Sequence, residues 1–221
     1  LSYSTNKTGS WAWEGIDANG GSPSVALDSR GFLHLLYTEA TFDWYTFLTY
    51  GSLIYGDNIN GTWSFAPIIS GLLSGVGKDI SIDRQDLIHI VYQWEQIFYA
   101  NNNSGSFISE QIPFAMDTLV WLKMSLDSND DVRINFYNST SNSEMEDLRV
   151  LKHTDGDWST QILDTEDFCY TPYIAVSKAG EITVAFPYGE EGTLILASLQ
   201  SDNNCWEYSA IDSGLPDYGI S

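Results

Sequence analysis

The side chains best suited to chemistry in this chain are aromatic rings placed beside carboxylates. Residues 38–51, read with the three segments that follow as connections between strands and as the long one among them, carry Glu39, Asp43, Trp44 and Tyr45. Trp94 is followed by Glu95, Tyr137 by Asn138, and Tyr188 by Glu190 and Glu191. A flat ring stacks on the C–H face of a sugar while a neighbouring carboxylate or amide hydrogen-bonds its hydroxyls, so the pairing suits saccharide recognition. The competing reading is that the same rings cap sheet edges as packing. Glu39, Asp43 and Glu95 would serve hydrolysis or elimination only with two carboxyls roughly 5–10 Å apart across a pocket.

Other constellations are weaker. Asp127-Ser-Asn-Asp-Asp131 opens like a calcium loop, with Asp127, Asn129 and Asp131 as oxygen donors, but lacks the later glycine and the closing glutamate. An aspartate that opens a tight turn accounts for it, as it does for Asp28 and Asp83. No cofactor is expected, calcium at this turn being the one open case. His34 and His89 fall at one repeat position, filled elsewhere by Arg133 and Thr183. A structural imidazole making one hydrogen bond explains that better than a metal pair. His153 stands in a polar hairpin and joins no cluster. Cys169 and Cys205 either pair across adjacent strands or stay as buried thiols. Sequons at Asn6, Asn60, Asn102 and Asn138 are candidate glycosylation sites.

The elements that must position these groups come in repeats. One pattern is an apolar strand, a polar turn and a closing aromatic: Trp11, Trp63, Phe107, Trp158 and Trp206. A second pattern interleaves with it, a strand, a tight turn opened by Asp28, Asp83, Asp127 or Ser177, and another strand. Each unit of about 50 residues therefore yields four short antiparallel strands, A to D, which is the size of a propeller blade. Strands such as 33–38 and 88–93 are continuously apolar, as burial on both faces demands. With 14% aromatic residues and no helical periodicity, the chain is expected to be all-β, a β-propeller of about four and a half blades.

The expected division is one propeller domain over 1–221. Residues 1–20 give strands C and D of a first blade. Residues 21–70, 71–117, 118–168 and 169–214 give four full blades, and 215–221 start the next. The edge of the segment at Leu1 then lacks its own A and B strands. Residues outside this sequence or a partner chain are expected to complete it, since an open ladder edge invites strand addition.

The unit Pro23-Ser-Val-Ala-Leu-Asp28 … Gly31 … His34 … Tyr37 … Gly61-Thr-Trp63 resembles the propeller repeats of secreted bacterial and archaeal surface proteins, and loosely the sialidase-type (BNR, or Asp-box) propellers. The resemblance implies an extracellular or cell-surface protein. Sialidase chemistry would need three arginines around one carboxylate. Arg30 and Arg84 lie in A–B turns, away from the propeller mouth, and the remaining arginines are Arg133 and Arg149. The charge of −21, from 30 acids against 9 bases, repels phosphate backbones and disfavours nucleic acid and anionic membranes as partners. No apolar run is long enough to span a bilayer, and no basic segment followed by an apolar run marks a signal peptide. The favoured reading is a non-catalytic module that binds glycans or protein partners. The alternatives are a glycoside hydrolase or polysaccharide lyase, and an architectural surface-layer segment.

Overall fold

The computed structural model describes residues 1–6, 9–17, 19–43, 45, 48–72, 77–114, 121–139, 146–154, 156–164, 172–177, 181–188, 193–200 and 205–212. Among them every regular element is a strand. β1 (Ser2–Thr5) and β2 (Ala12–Gly15) form a two-stranded antiparallel sheet. Four-stranded antiparallel meanders follow. Blade one is β3 (Gly20–Leu27), β4 (Leu33–Asp43), β5 (Leu48–Asp57) and β6 (Ser64–Leu72). Blade two is β7 (Lys78–Ile82), β8 (Ile88–Trp94), β9 (Gln96–Asn101) and β10 (Ile108–Gln111). Blade three is β11 (Leu122–Leu126), β12 (Val132–Ser139), β13 (Glu146–Thr154) and β14 (Asp157–Asp164). Blade four is β15 (Tyr173–Val176), β16 (Ile182–Tyr188), β17 (Thr193–Gln200) and β18 (Cys205–Asp212).

Both turn types follow from local side-chain chemistry. In the A–B turn the aspartate Oδ1 accepts two backbone N–H groups: those of Arg30 and Phe32 at Asp28, Gln85 and Leu87 at Asp83, and Asn129 and Asp131 at Asp127. Ser177 keeps part of this, its Oγ accepting from Glu181 N–H. An aspartate held this way replaces backbone partners that the tight turn cannot supply. The C–D hairpins close with Gly9, Gly61 and Gly105 donating N–H to the carbonyls of Asn6, Asn58 and Asn102. These glycines have φ of +89°, +78° and +86°, a region a side chain resists. Trp11, Trp63 and Phe107 immediately precede β2, β6 and β10, and Trp158 and Trp206 lie at the start of β14 and β18.

The run at 38–51 is not the long loop expected of it. β4 continues to Asp43 and β5 begins at Leu48, so Glu39 pairs with Ser52 and Asp43 with Leu48 in a lengthened hairpin. Thr38, Thr41, Phe42, Thr49 and Tyr50 favour extended backbone, so the two strands stay paired to the end of the hairpin.

Leu1–Leu73 and Ser74–Ser221 are two compact units. In the first, Leu35, Tyr37 and Ile54 form a small core, with Leu1, Ile16 and Trp63 packed against it. In the second, the A strands β7, β11 and β15 lie side by side. Val91, Ile97 and Tyr99 of blade two pack with Val132, Ile134 and Phe136 of blade three. Leu148 and Val150 of blade three pack with Val184 and Phe186 of blade four. A sheet with two apolar faces buries both by this face-to-face stacking. A polar pin runs through the first of these interfaces, where buried Asp79 Oδ2 accepts the Met124 N–H at 2.9 Å.

Candidate functional site

The residues predicted from aromatic–acid pairing sit at the B–C ends of their blades. Glu39 is half-buried on β4, and Tyr45, at the tip of that hairpin, is 97% exposed. Trp94 ends β8 and Glu95 alone turns the chain into β9, with φ of +61°. Tyr188 ends β16, half-buried. Tyr137 lies within β12, paired with Leu148, and not in a connection. Asn138 is its neighbour on that strand, paired with Asp147. For Asp43, Tyr137 and Asn138 the backbone alone is described, and Trp44 and Glu190 lie outside the described residues. Of this set, Tyr188 borders a cavity of about 330 Å³, whose described walls are Phe186, Tyr188, Ile195 and Tyr208. Tyr208 is fixed there because its hydroxyl donates to the Leu163 carbonyl of the preceding blade.

The matched histidines are structural. Tyr55 and Tyr99 hydroxyls sit 2.6 Å from Nδ1 of His34 and His89. At His89 the other nitrogen faces Asp83 Oδ2 at 3.4 Å, so Nε2–H donates to the carboxylate and the Tyr99 hydroxyl donates to Nδ1. Burial lowers the pKa of both imidazoles, more than the aspartates raise it. Burial also lifts the Tyr99 hydroxyl to about 12. In blade three the histidine's place is taken by Arg133, which donates to Asp127 Oδ2. Asp127, read as a possible calcium donor, thus has Oδ1 on backbone N–H groups and Oδ2 on a guanidinium. Asp131 Oδ2 accepts from the Thr154 hydroxyl at 3.1 Å.

Two expectations are corrected. Cys205 is exposed on β18 and not a buried thiol, while Cys169 lies outside the described residues. His153 does join a cluster. It stacks on Trp158 at 4.6 Å, tilts against Tyr99 at 5.5 Å, and its Nε2 lies 4.0 Å from Glu110 Oε1. Trp158 Nε1–H donates to that same Glu110 oxygen at 3.0 Å. Tyr99 and Glu110 come from blade two, His153 and Trp158 from blade three.

A related groove in the first unit was missed entirely. Tyr3 and Glu14 face each other across the β1–β2 ladder, and Tyr3 meets the edge of Trp63 at 5.7 Å. They border a cavity of about 370 Å³ whose lining includes Asn58, Thr62, Trp63 and Phe65. The signal for it lay in the repeat. Aligning Leu1 with Ile97 and the hairpin glycines Gly9 with Gly105 places Tyr3 on Tyr99 and Glu14 on Glu110. Of the sequons, Asn6 and Asn60 are exposed, whereas Asn102 Oδ1 is tied to the Ile88 N–H at 2.8 Å.

No protein-family model matches the chain, and no curated protein does. Solved structures do. A protein of unknown function from Dyadobacter fermentans has a TM-score of 0.59 at 11% identity, covering 86% of this chain and 68% of that one. The Hadza microbial sialidase Hz136 has 0.59 at 8%, covering 83% and 45%. The NanB sialidase of Streptococcus pneumoniae has 0.55 at 11%, covering 90% and 50%. The chain thus spans about half the length of either sialidase. The shared feature is the fold: this chain is all-β, a β-propeller built of four-stranded antiparallel blades.

Proposed function

We propose that the chain is a non-catalytic, extracellular or cell-surface propeller module that binds glycans. The observation that carries this is the cavity beside Tyr188. Its described walls are two tyrosines, a phenylalanine and an isoleucine, with no carboxylate pair among them. Such walls offer stacking faces, which suits holding a sugar, whereas cleavage needs an acid and a second carboxylate or base. Its volume lies at the lower end of the range of small-molecule sites, about 300–1,000 Å³. Fold-level similarity to sialidases supports a carbohydrate-related role, and the small arginine complement speaks against their chemistry.

A glycan-array screen of the wild type and Tyr188→Ala tests the reading. Retention of a defined glycan set by the wild type is expected, with at least one member lost or at least about tenfold weaker in the folded variant. Turnover of any retained glycan, or an array with no retained member, would overturn it.

A further inference from the structure

The geometry points to a second binding site, in the first unit, for a neutral hexopyranose residue: the cavity between the β1–β2 hairpin and the C–D hairpin of blade one. Its described lining shares no residue with that of the Tyr188 cavity, and it does not depend on that cavity. Trp63 stacks nearly parallel on Phe65, with centroids 5.8 Å apart and planes at 8°. Tyr3 stands edge-on to Trp63, at 75°. Two perpendicular aromatic walls make a corner that can hold one ring by stacking and limit its slide.

The corner is held rigidly. Phe65 lies over Gly56, its cross-strand partner, where an added Cβ would come within 2.5 Å of the ring. Tyr37 meets Phe65 edge-on at 6.0 Å, and its hydroxyl donates to Asp17 Oδ2 at 2.9 Å. Polar groups sit at the same corner. Asn58 Oδ1 accepts the Leu33 N–H, which leaves its NH₂ as a donor. Glu14 is an acceptor on the hairpin and Thr62 adds a hydroxyl.

The ligand class follows from charge. Among the described lining residues the one acidic side chain is Glu14, with no lysine or arginine, and the chain as a whole carries −21. A sialic acid or uronate carboxylate would meet repulsion without a partner, so a neutral sugar fits. The repeat shows the converse case. At Trp158 the indole N–H is already satisfied by Glu110 and the ring is covered by His153. Among the described residues Trp63 and Glu14 share no hydrogen bond, and Asn58 stands where the repeat places His153.

Calorimetric titration of the whole chain with methyl β-D-galactoside, methyl α-D-glucoside and N-acetylneuraminic acid tests this, using wild type, Glu14→Gln, Tyr3→Ala and Tyr188→Ala. Binding of at least one neutral glycoside is expected, weakened at least about tenfold by Glu14→Gln and by Tyr3→Ala. It should persist at this site in Tyr188→Ala, and the acidic sugar should not bind. No neutral-glycoside binding, binding unchanged in both Glu14→Gln and Tyr3→Ala, or tighter binding of the acidic sugar would overturn it. Circular dichroism confirms that each variant is folded.

Discussion

The Trp63 groove and the Trp158 groove occupy one place in the repeat and reach opposite states. Each sets a tryptophan from a C–D hairpin against a tyrosine and a glutamate from the preceding hairpin: Tyr3 and Glu14 in one, Tyr99 and Glu110 in the other. At Trp158 the glutamate bonds the indole and His153 covers its face, so the groove satisfies itself. Tyr99 there belongs to a large core that includes Val91, Ile134 and Phe136. At Trp63 the core beneath is small, Leu35, Tyr37 and Ile54, and the corner stays open. One scaffold position therefore serves as mortar between blades or as a receptor, depending on whether its polar groups find each other first.

The largest test of that contrast is truncation of the two rings. Trp158→Ala should cost about 3 kcal/mol, the lower end of the range for aromatic truncation, because it removes packing and a satisfied hydrogen bond together. Trp63→Ala should cost about half as much and abolish glycoside binding at the Trp63 groove. Urea unfolding compares the two. Equal losses would mean that the Trp63 groove is mortar as well.

Gly56→Ala comes next. Its Cβ collides with Phe65, so about 1–2 kcal/mol of overpacking and a measurable weakening of glycoside binding are expected. The matched position in blade two is Ala100, which pairs with Ser109 instead of a ring. Ala100→Gly should weaken stability mildly, by about 0.5–1 kcal/mol, since it adds backbone freedom in a strand. Gain of stability in Gly56→Ala would contradict the account of the platform.

Acid titration should separate the histidines from the grooves. His34 and His89 are held below the ordinary 6.5 by burial. Above pH 6.5 folded and unfolded chains are both neutral at these sites, so they add nothing. As pH falls below 6.5 the unfolded chain takes up protons that the folded one resists, and stability drops until the folded pKa is passed. Unfolding midpoints measured from pH 7.5 to 5 should fall, and the fall should shrink in His89→Gln. The smallest expected effect is His153→Asn, which exposes the Trp158 face for about 0.5 kcal/mol of lost stacking. It should create weak glycoside binding at the Trp158 groove, detectable in a Trp63→Ala, Tyr188→Ala background.

What the sequence made legible was local. Asp28, Asp83 and Asp127 announce their turns because one carboxylate caps N–H groups two and four residues on. Gly9, Gly61 and Gly105 announce the hairpins through their positive φ. The extension of β4 and β5 past Glu39 was illegible, because a mixed Thr, Glu and aromatic run reads equally as strand or loop. The Trp158 cluster was missed since Glu110 lies 48 residues away, in a separate blade. Position in the repeat could have shown it, had tyrosine and glutamate been aligned along with the more obvious tryptophans. At the B–C ends, aromatic–acid pairing singled out Tyr188, which borders a cavity, but said nothing of the side chains around it.

The most direct test of the open groove is an NMR titration of the indole N–H signals with methyl β-D-galactoside and methyl α-D-glucoside, assigned through Trp63→Phe and Trp158→Phe. The Trp63 signal should move and saturate with at least one of them, while the Trp158 signal, tied to Glu110, stays in place. A still Trp63 signal throughout, or a shift confined to Trp158, would contradict the account.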